Sequence, residues 1–560
     1  MSLHQYSLNG DLAGRVLDFG LNGLIQVEDF ASGGSQFISL GSNLRLKGEN
    51  LKIQKYGNGT AFQFLTLGMT ANPELTGPFT LGGSIYAAFN PNTMPAVSQI
   101  VVEAGGSAAI GGVGLTYAVP FQLAGFGNSL TNSGTAYGAI RMTGTNSTYS
   151  GGFFLTSNAG VNTSSSGGFN ASGITLSGPI TDGGNNFEFH RFAFGGEGTL
   201  TLEAANTYGG ATVLGRAANN YSGSVTILNF GAQMAPSNDI LYHGVTLPGD
   251  VRFFGGTSPS VLRLVGASGQ DNSQRLGNIR AGGTHASLEV ISGEGGSVNV
   301  TTGMLTRDNS LVTLSVSNSG SGTVSTTGMA EGFVGPWMSY AGVDGQRSWA
   351  TIKSGGVIGN GYTGEVEFLD GTELSDSIYG TSANLNLLGT SSGPVNSGVG
   401  ISFLNTLSMS DWSNDRQIEL ATGQTLRLGA TGGIQVLSGA GSLSIGVAGS
   451  GGGLSAGGST LNATGTLFLG NHSTSSLLTI GANIMNNGSG AVAVVVNGAP
   501  GARTVLSGTN THTGGTRVTG GLLEIRSNGA LGTTGTVTVV EGTVASLGLG
   551  GGITLSRSLT

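Results

Sequence analysis

Glu365, Glu367, Asp370, Glu373 and Asp376 place five carboxylates within twelve residues, in a chain where only 9% of residues are charged. Glu365 and Glu367, two positions apart, fall on one face of a strand. Clustered carboxylates on a β-scaffold act as acid and base toward glycosidic bonds, or as oxygen ligands for calcium. The spacing sets no two of them across a groove, so a solvated outer face is the plainer reading. Just upstream, residues 335–351 hold Trp337 and Trp349, two of the three tryptophans, together with Tyr340, Asp344, Gln346 and Arg347. Aromatic faces of this kind stack on sugar rings, and the competing reading is that they pack on the scaffold. The binding candidates are therefore Trp337, Tyr340, Trp349, Glu365, Glu367 and Asp370.

Other chemistry is sparse. The six histidines (His4, His190, His243, His285, His472 and His512) form no close pair, and there is no cysteine, so neither a metal site nor a thiol nucleophile is expected. In the run Phe187 to Phe194, the phenylalanines alternate as inward strand positions, with Glu188, His190 and Arg191 mostly outside. Residues 359–364 match G-x-G-x-x-G, but about four such matches arise by chance at this glycine content and no helix follows. No cofactor and no catalytic residue is assigned, and the chain is read as non-enzymatic.

The elements that must position these residues are strands. Runs such as Thr199-Leu200-Thr201-Leu202, Val261-Leu262-Arg263-Leu264 and Leu477-Leu478-Thr479-Ile480 alternate apolar and polar residues, which buries one side of each. Gly, Asn, Asp and Ser clusters separate them, and no twelve-residue stretch keeps a helical stripe without glycine. Glycine accounts for 105 of 560 residues and hydrophobic residues for 38%, too apolar for disorder. The net charge of −8, with 21 basic residues and no basic cluster, argues against a nucleic-acid partner. No run approaches the eighteen apolar residues of a membrane span. The first residues lack the pattern of a signal peptide, and the chain stops within a strand-like run, so both ends are expected to be cut from a longer exported protein.

A tyrosine–glycine node recurs. Asn146 to Gly152, with Tyr149 and Gly151, is one copy. Asn206 to Val213, with Tyr208 and Gly210, is a second. Asn510 to Val518 is a third, with His512 in the aromatic slot before Gly514 and Gly515. Asn528-Gly529-Ala530-Leu531 follows the third, and Ser237-Asn238-Asp239-Ile240-Leu241 is its later-placed counterpart after the second. These units resemble the autotransporter-associated β-strand repeat, cleanly over 506–544 and partly over 200–245. The resemblance implies a right-handed parallel β-helix in a secreted or outer-membrane-associated surface protein of bacteria. It also implies a translocator domain or secretion partner outside this segment. Two departures are the irregular spacing between nodes and the lack of a C-terminal barrel domain.

Physical chemistry points to the same β-solenoid: coils stack at about 4.8 Å and need inward apolar residues, turns tolerant of positive φ and few buried charges. At roughly 20–25 residues per coil, a single elongated rod of about 22–28 coils is expected. Its sections are a less regular 1–135, degenerate coils over 136–330, a Trp/acidic excursion over 331–380, and coils over 381–560 that end in the clear repeat. The expected role is a glycine-rich structural stalk or adhesin toward extracellular carbohydrate or another cell surface. A polysaccharide-binding or polysaccharide-degrading β-helix is the alternative, and a passenger that only spaces is a third.

Overall fold

Nearly every alternating run named above is a strand in the computed structural model, and most strands pair in parallel with a run one coil further along. The structure describes residues 16–28, 45–56, 74–89, 97–127, 138–163, 173–194, 198–215, 224–254, 259–360, 400–540 and 545–559, with positions 84, 143, 413 and 556 excepted. It also describes the short strands at 2–3, 36–40, 63–67, 221–222, 366–368, 383–387 and 395–396. The only helix among them is the single turn Ser354–Gly356. The protein is an all-β parallel β-helix.

The described chain divides into two compact units, residues 1–280 with 289–306, and residues 281–288 with 307–560. In the first, strands stack so that like residues superpose. Leu51 pairs with Phe79, Phe79 with Ile100, Ile100 with Phe121, Phe121 with Phe153, and Phe153 with Ile180. All six are at most 2% exposed. Two residues along, Ile53, Leu81, Val102, Leu123 and Leu155 form a second inward column. Lys52, Thr80, Val101 and Gln122, between the two columns, face outward. A second face carries the column Tyr149, Leu176, Leu202, Leu228 and Leu264.

The second unit has three faces, formed by sheets of eight, seven and four strands. One turn of chain runs Thr406–Met409, Arg416–Glu419, Thr425–Leu428 and back to the first face at Thr431–Val436. Leu385, Leu407, Ile434, Leu469, Val496 and Val518 line the first face inside. Ile418, Ile445, Ile480, Leu506 and Ile525 line the second, and Leu426, Leu454 and Ile484 the third. These belong to one continuous core. Each such side chain contributes on the order of 1.5–3 kcal/mol by leaving water.

Coil length is less regular than the sequence suggested. Laterally bonded residues of neighbouring coils lie 21 positions apart at Asn384 and Asn405, and 36 apart at Ala440 and Ser476. Strands must stay in register, so the variation is taken up in the turns and in bulges such as that at Val496 and Asn497. Over residues 332–359 the parallel stack gives way to antiparallel pairing: Met338–Ala341 still pairs in parallel with Thr313–Asn318, but it is the last to do so in its sheet. Met338–Ala341 and Arg347–Trp349 form an antiparallel hairpin, and Gly332–Phe333, Thr351–Ile352 and Ile358–Gly359 form a second antiparallel set. The first hairpin is closed by a tight turn in which Gly345 takes a φ of 72°.

The columns make a direct prediction. Ile480 is fully buried whereas Thr479, its neighbour in Leu477–Ile480, faces outward. Ile480→Ala should cost about 2–5 kcal/mol and Thr479→Ala no more than about 0.5 kcal/mol. Urea unfolding of the two variants measures the difference, and equal midpoints would contradict the assigned register.

Candidate functional site

The tryptophan segment lies against the first face of the second unit. Trp337, Tyr340 and Trp349 are 8%, 7% and 2% exposed. The Trp349 amide donates to Gln435 Oε1 at 3.1 Å. Its ring closes so tightly over Gly433 that a Cβ there would lie 2.6 Å from the indole. Arg307 stands with its guanidinium 5.3 Å from the Trp337 ring and 5.6 Å from the Phe468 ring. Arg347 donates to Ser315 Oγ and Ser339 Oγ at 2.6 and 2.9 Å. Burial pushes the Tyr340 phenol above its usual range. A platform for sugars requires an open ring face, and these rings spend theirs on the scaffold. Of the acidic cluster, Glu367 lies in the strand Val366–Phe368, while Glu365, Asp370, Glu373 and Asp376 lie outside the described residues. Among the described residues no group of three or more His, Asp or Glu side chains converges as a metal site would.

The repeat nodes are built as clasps between coils. Asn206 Oδ1 accepts from the Ile180 amide at 2.8 Å, and its Nδ2 donates to the Ala204 and Ile240 carbonyls at 2.9 Å. Asn510 does the same: Oδ1 accepts from Ile484 N at 2.7 Å and Nδ2 donates to Ala530 O at 2.6 Å. The side-chain amide thus stands in for a strand where the chain turns, joining the coil before to the coil after. Ile240 and Ala530 fall in the two segments paired in the sequence, so the later-placed copy plays the same part. Asp182 and Asn486 form a second rung, accepting from the amides of Gly209 and Thr513.

The aromatic slot points inward. Tyr208 is fully buried, with its hydroxyl 2.6 Å from Thr212 Oγ1, which also meets the Tyr242 hydroxyl at 2.6 Å. His512 substitutes one for one, its Nε2 3.0 Å from Thr516 Oγ1. Tyr149 is equally buried but stacks on Tyr117 with centroids 4.9 Å apart. Here the first copy departs from the sequence pairing. Ser147, two residues before Tyr149, holds the asparagine position and receives Leu115 N at 3.5 Å, while Asn146 turns the chain at a φ of 52°. The glycine is common to all three copies: a Cβ on Gly151, Gly210 or Gly514 would come within 2.4–2.6 Å of the preceding coil's backbone. Gly515 follows at a φ of 86°, which favours glycine.

Two side chains escaped notice in the sequence. Trp412, the third tryptophan, is 70% exposed beside Gly439, in a turn whose Asp, Ser and Asn neighbours were the available signal. Arg517, between buried Thr516 and Val518, faces outward from its strand.

The chain matches no protein-family model, no curated protein and no solved structure. Its function is therefore argued from its own residues. Among the described residues no helix is long and apolar enough to cross a membrane, a statement that leaves β-barrels aside.

Two predictions come from the nodes. Removing the Asn510 amide strands a buried N–H and a buried C=O, so Asn510→Ala should cost about 2–4 kcal/mol. Asn510→Asp should cost at least as much near pH 7, because a carboxylate cannot donate to Ala530 O; chemical denaturation checks both, and a neutral Asp variant would refute the clasp. The buried histidines predict acid sensitivity. Burial, with Arg557 adding to it, lowers the His512 imidazole to about 4, and burial with Arg347 lowers His472 to about 3. Both pKa values are depressed on folding, so the unfolded chain binds more protons below about pH 6.5, and stability present above that pH is lost as pH falls toward 4. Two protons correspond to a slope of up to about 2.7 kcal/mol per pH unit. Urea midpoints from pH 7.5 to 4.5 should fall, and should fall less in His472→Gln with His512→Gln.

Proposed function

We propose that this chain is a secreted or cell-surface bacterial β-solenoid that serves as a structural stalk and adhesin, without enzymatic chemistry of its own. The observation that carries the reading is the clasped stack: identical Asn206 and Asn510 nodes tie coil to coil, while outward positions such as Thr80, Gln122, Thr201 and Thr479 are left to solvent. Such a scaffold presents weak polar contacts in series, and many of them together give firm attachment through effective concentration. The autotransporter-type repeat over 506–544 supports an exported location, with the translocator supplied elsewhere. Extracellular carbohydrate or another cell surface is the partner this reading names.

A polysaccharide-binding or polysaccharide-degrading β-helix is the second reading, and Trp412 favours its binding form. An indole open on one side in a polar turn offers a sugar ring an apolar face together with nearby hydrogen-bonding groups.

Micrometre beads coated with the chain test the first reading against the second. Coated beads should attach to glycan-bearing cells at least several-fold more often than beads carrying an inert protein, with no reducing ends released from polysaccharides. Attachment no better than the inert control refutes the adhesin, and steady release of reducing ends refutes the non-enzymatic role.

A further inference from the structure

Trp412 sits at the corner where the chain turns from Thr406–Met409 into Arg416–Glu419 in the second unit. It is 70% exposed, whereas Trp337 and Trp349 are 8% and 2% exposed. An indole this open forgoes the burial that ordinarily makes tryptophan useful to a fold. Its position is nonetheless set by the next coil. A Cβ built on Gly439 would lie 3.1 Å from Trp412 Cζ3 and 3.3 Å from Cε3, so the six-membered edge of the ring rests against that glycine. Gly439 has a φ of 80°, a conformation that favours glycine and so keeps the place beside the ring clear.

The corners of four successive coils stack here. Leu437 N donates to Met409 O at 2.9 Å, and Gly441 N to Asp411 O at 2.7 Å. His472 N donates to Val436 O at 2.9 Å, Ser476 Oγ to Ala440 O at 2.6 Å, and Ala499 N to Asn471 O at 2.8 Å. These bonds bring Trp412, Gly439, Thr474 and Gly501 into one column, where a Cβ on Gly501 would meet Thr474 Cγ2 at 3.8 Å. All four are exposed, as are Ser475 and Pro500 beside them. Three coil spacings of about 4.8 Å make this a strip of about 14 Å. Past the indole, its column holds nothing larger than threonine. The corner sequences 410–415, 437–442, 472–476 and 498–502 contain no lysine or arginine. Their exposed charge is Asp415, which accepts from Ser442 N at 2.7 Å.

We infer that this strip binds a neutral polysaccharide running from coil to coil, with one sugar ring stacked on Trp412 and the following rings over Gly439, Thr474 and Gly501. A sugar ring turns its C–H face to the indole and its rim hydroxyls to Thr474, Ser475 and the Asp415 carboxylate. The small residues let an extended chain lie close to the backbone. Other occupants fit worse. One indole offers about 150–250 Å² of contact, well short of the roughly 800 Å² per partner that a stable protein interface needs. An acidic polymer, a nucleic acid or an anionic membrane would meet Asp415 and no cation. The inference rests on carbohydrate as the partner and names its class.

Titration of the full chain with dextran, laminarin and galactomannan (neutral) and alginate (acidic) is the test, followed by tryptophan emission and by calorimetry beside Trp412→Ala and Trp412→Phe. At least one neutral polymer should move the parent's emission to shorter wavelength, because Trp412 loses water while the two buried tryptophans do not. Trp412→Ala should lose that shift and bind the same polymer about tenfold or more weakly, with Trp412→Phe in between. Both variants should keep the parent's thermal midpoint, since the side chain is exposed. Neutral polymers that bind parent and Trp412→Ala alike, or that leave the parent's emission unmoved, overturn the site. Alginate binding as tightly as the best neutral polymer overturns the ligand class, and the monomer binding as tightly as its polymer overturns the strip. Failure of the titration with cell attachment of coated beads intact removes this site alone. Failure of attachment with the titration intact removes the adhesin reading and leaves the site.

Discussion

Backbone hydrogen bonds that run from coil to coil constrain everything else in this protein. Each coil must offer its N–H and C=O groups at the height where the next coil can use them, about 4.8 Å away. Strands therefore superpose residue on residue, and a slip of one position would turn an inward isoleucine such as Ile445 or Ile480 out to solvent. The inward columns of leucine, isoleucine and phenylalanine follow from that requirement. So does the tolerance elsewhere: a turn can lengthen freely provided the chain re-enters the ladder in register, which is why paired residues of neighbouring coils lie from 19 positions apart at Arg503 and Leu522 to 39 at Thr212 and Val251.

Where the ladder cannot continue, side chains replace it. Ile180, Asp182, Asn206, Tyr208 and Thr212 in one unit correspond to Ile484, Asn486, Asn510, His512 and Thr516 in the other, each pair 304 positions apart. The asparagine amide supplies one acceptor and two donors, which matches what a missing strand residue would have offered. Glycine at 210 or 514 lets the turn descend onto the coil before it, a contact any side chain would break. The aromatic slot is looser. It needs an inward ring with one polar atom near a threonine hydroxyl, and tyrosine or a neutral histidine both satisfy that.

Local pattern made the strands legible, since alternation is a property of five or six neighbouring residues. It also made the second and third nodes legible, because the asparagine, aromatic and glycine are close in sequence. The first node was misaligned by one residue, as Asn146 precedes Tyr149 by three positions where the clasp needs two, and Ser147 fills the place. What alternation cannot convey is which outward face another segment will cover. Trp337 and Trp349 sit in a polar, glycine-rich stretch that the sequence leaves open to packing or display, and they pack against Gly433, Gln435 and Arg307, from coils about ninety residues later or from the chain just before. Trp412 and Arg517 are the converse, ordinary in sequence and conspicuous only once the neighbours are placed.

Function in such a fold has to come from departures on the outside. The inward columns and the clasps are fixed by stacking and are spent on stability, so they carry no information about a partner. Outward threonine, serine and asparagine are interchangeable without penalty to the core, and a uniform face of them binds weakly and without selectivity. A departure on the outside is different: Trp412 leaves its indole 70% exposed in a polar turn, an apolar surface for which the stack itself has no use.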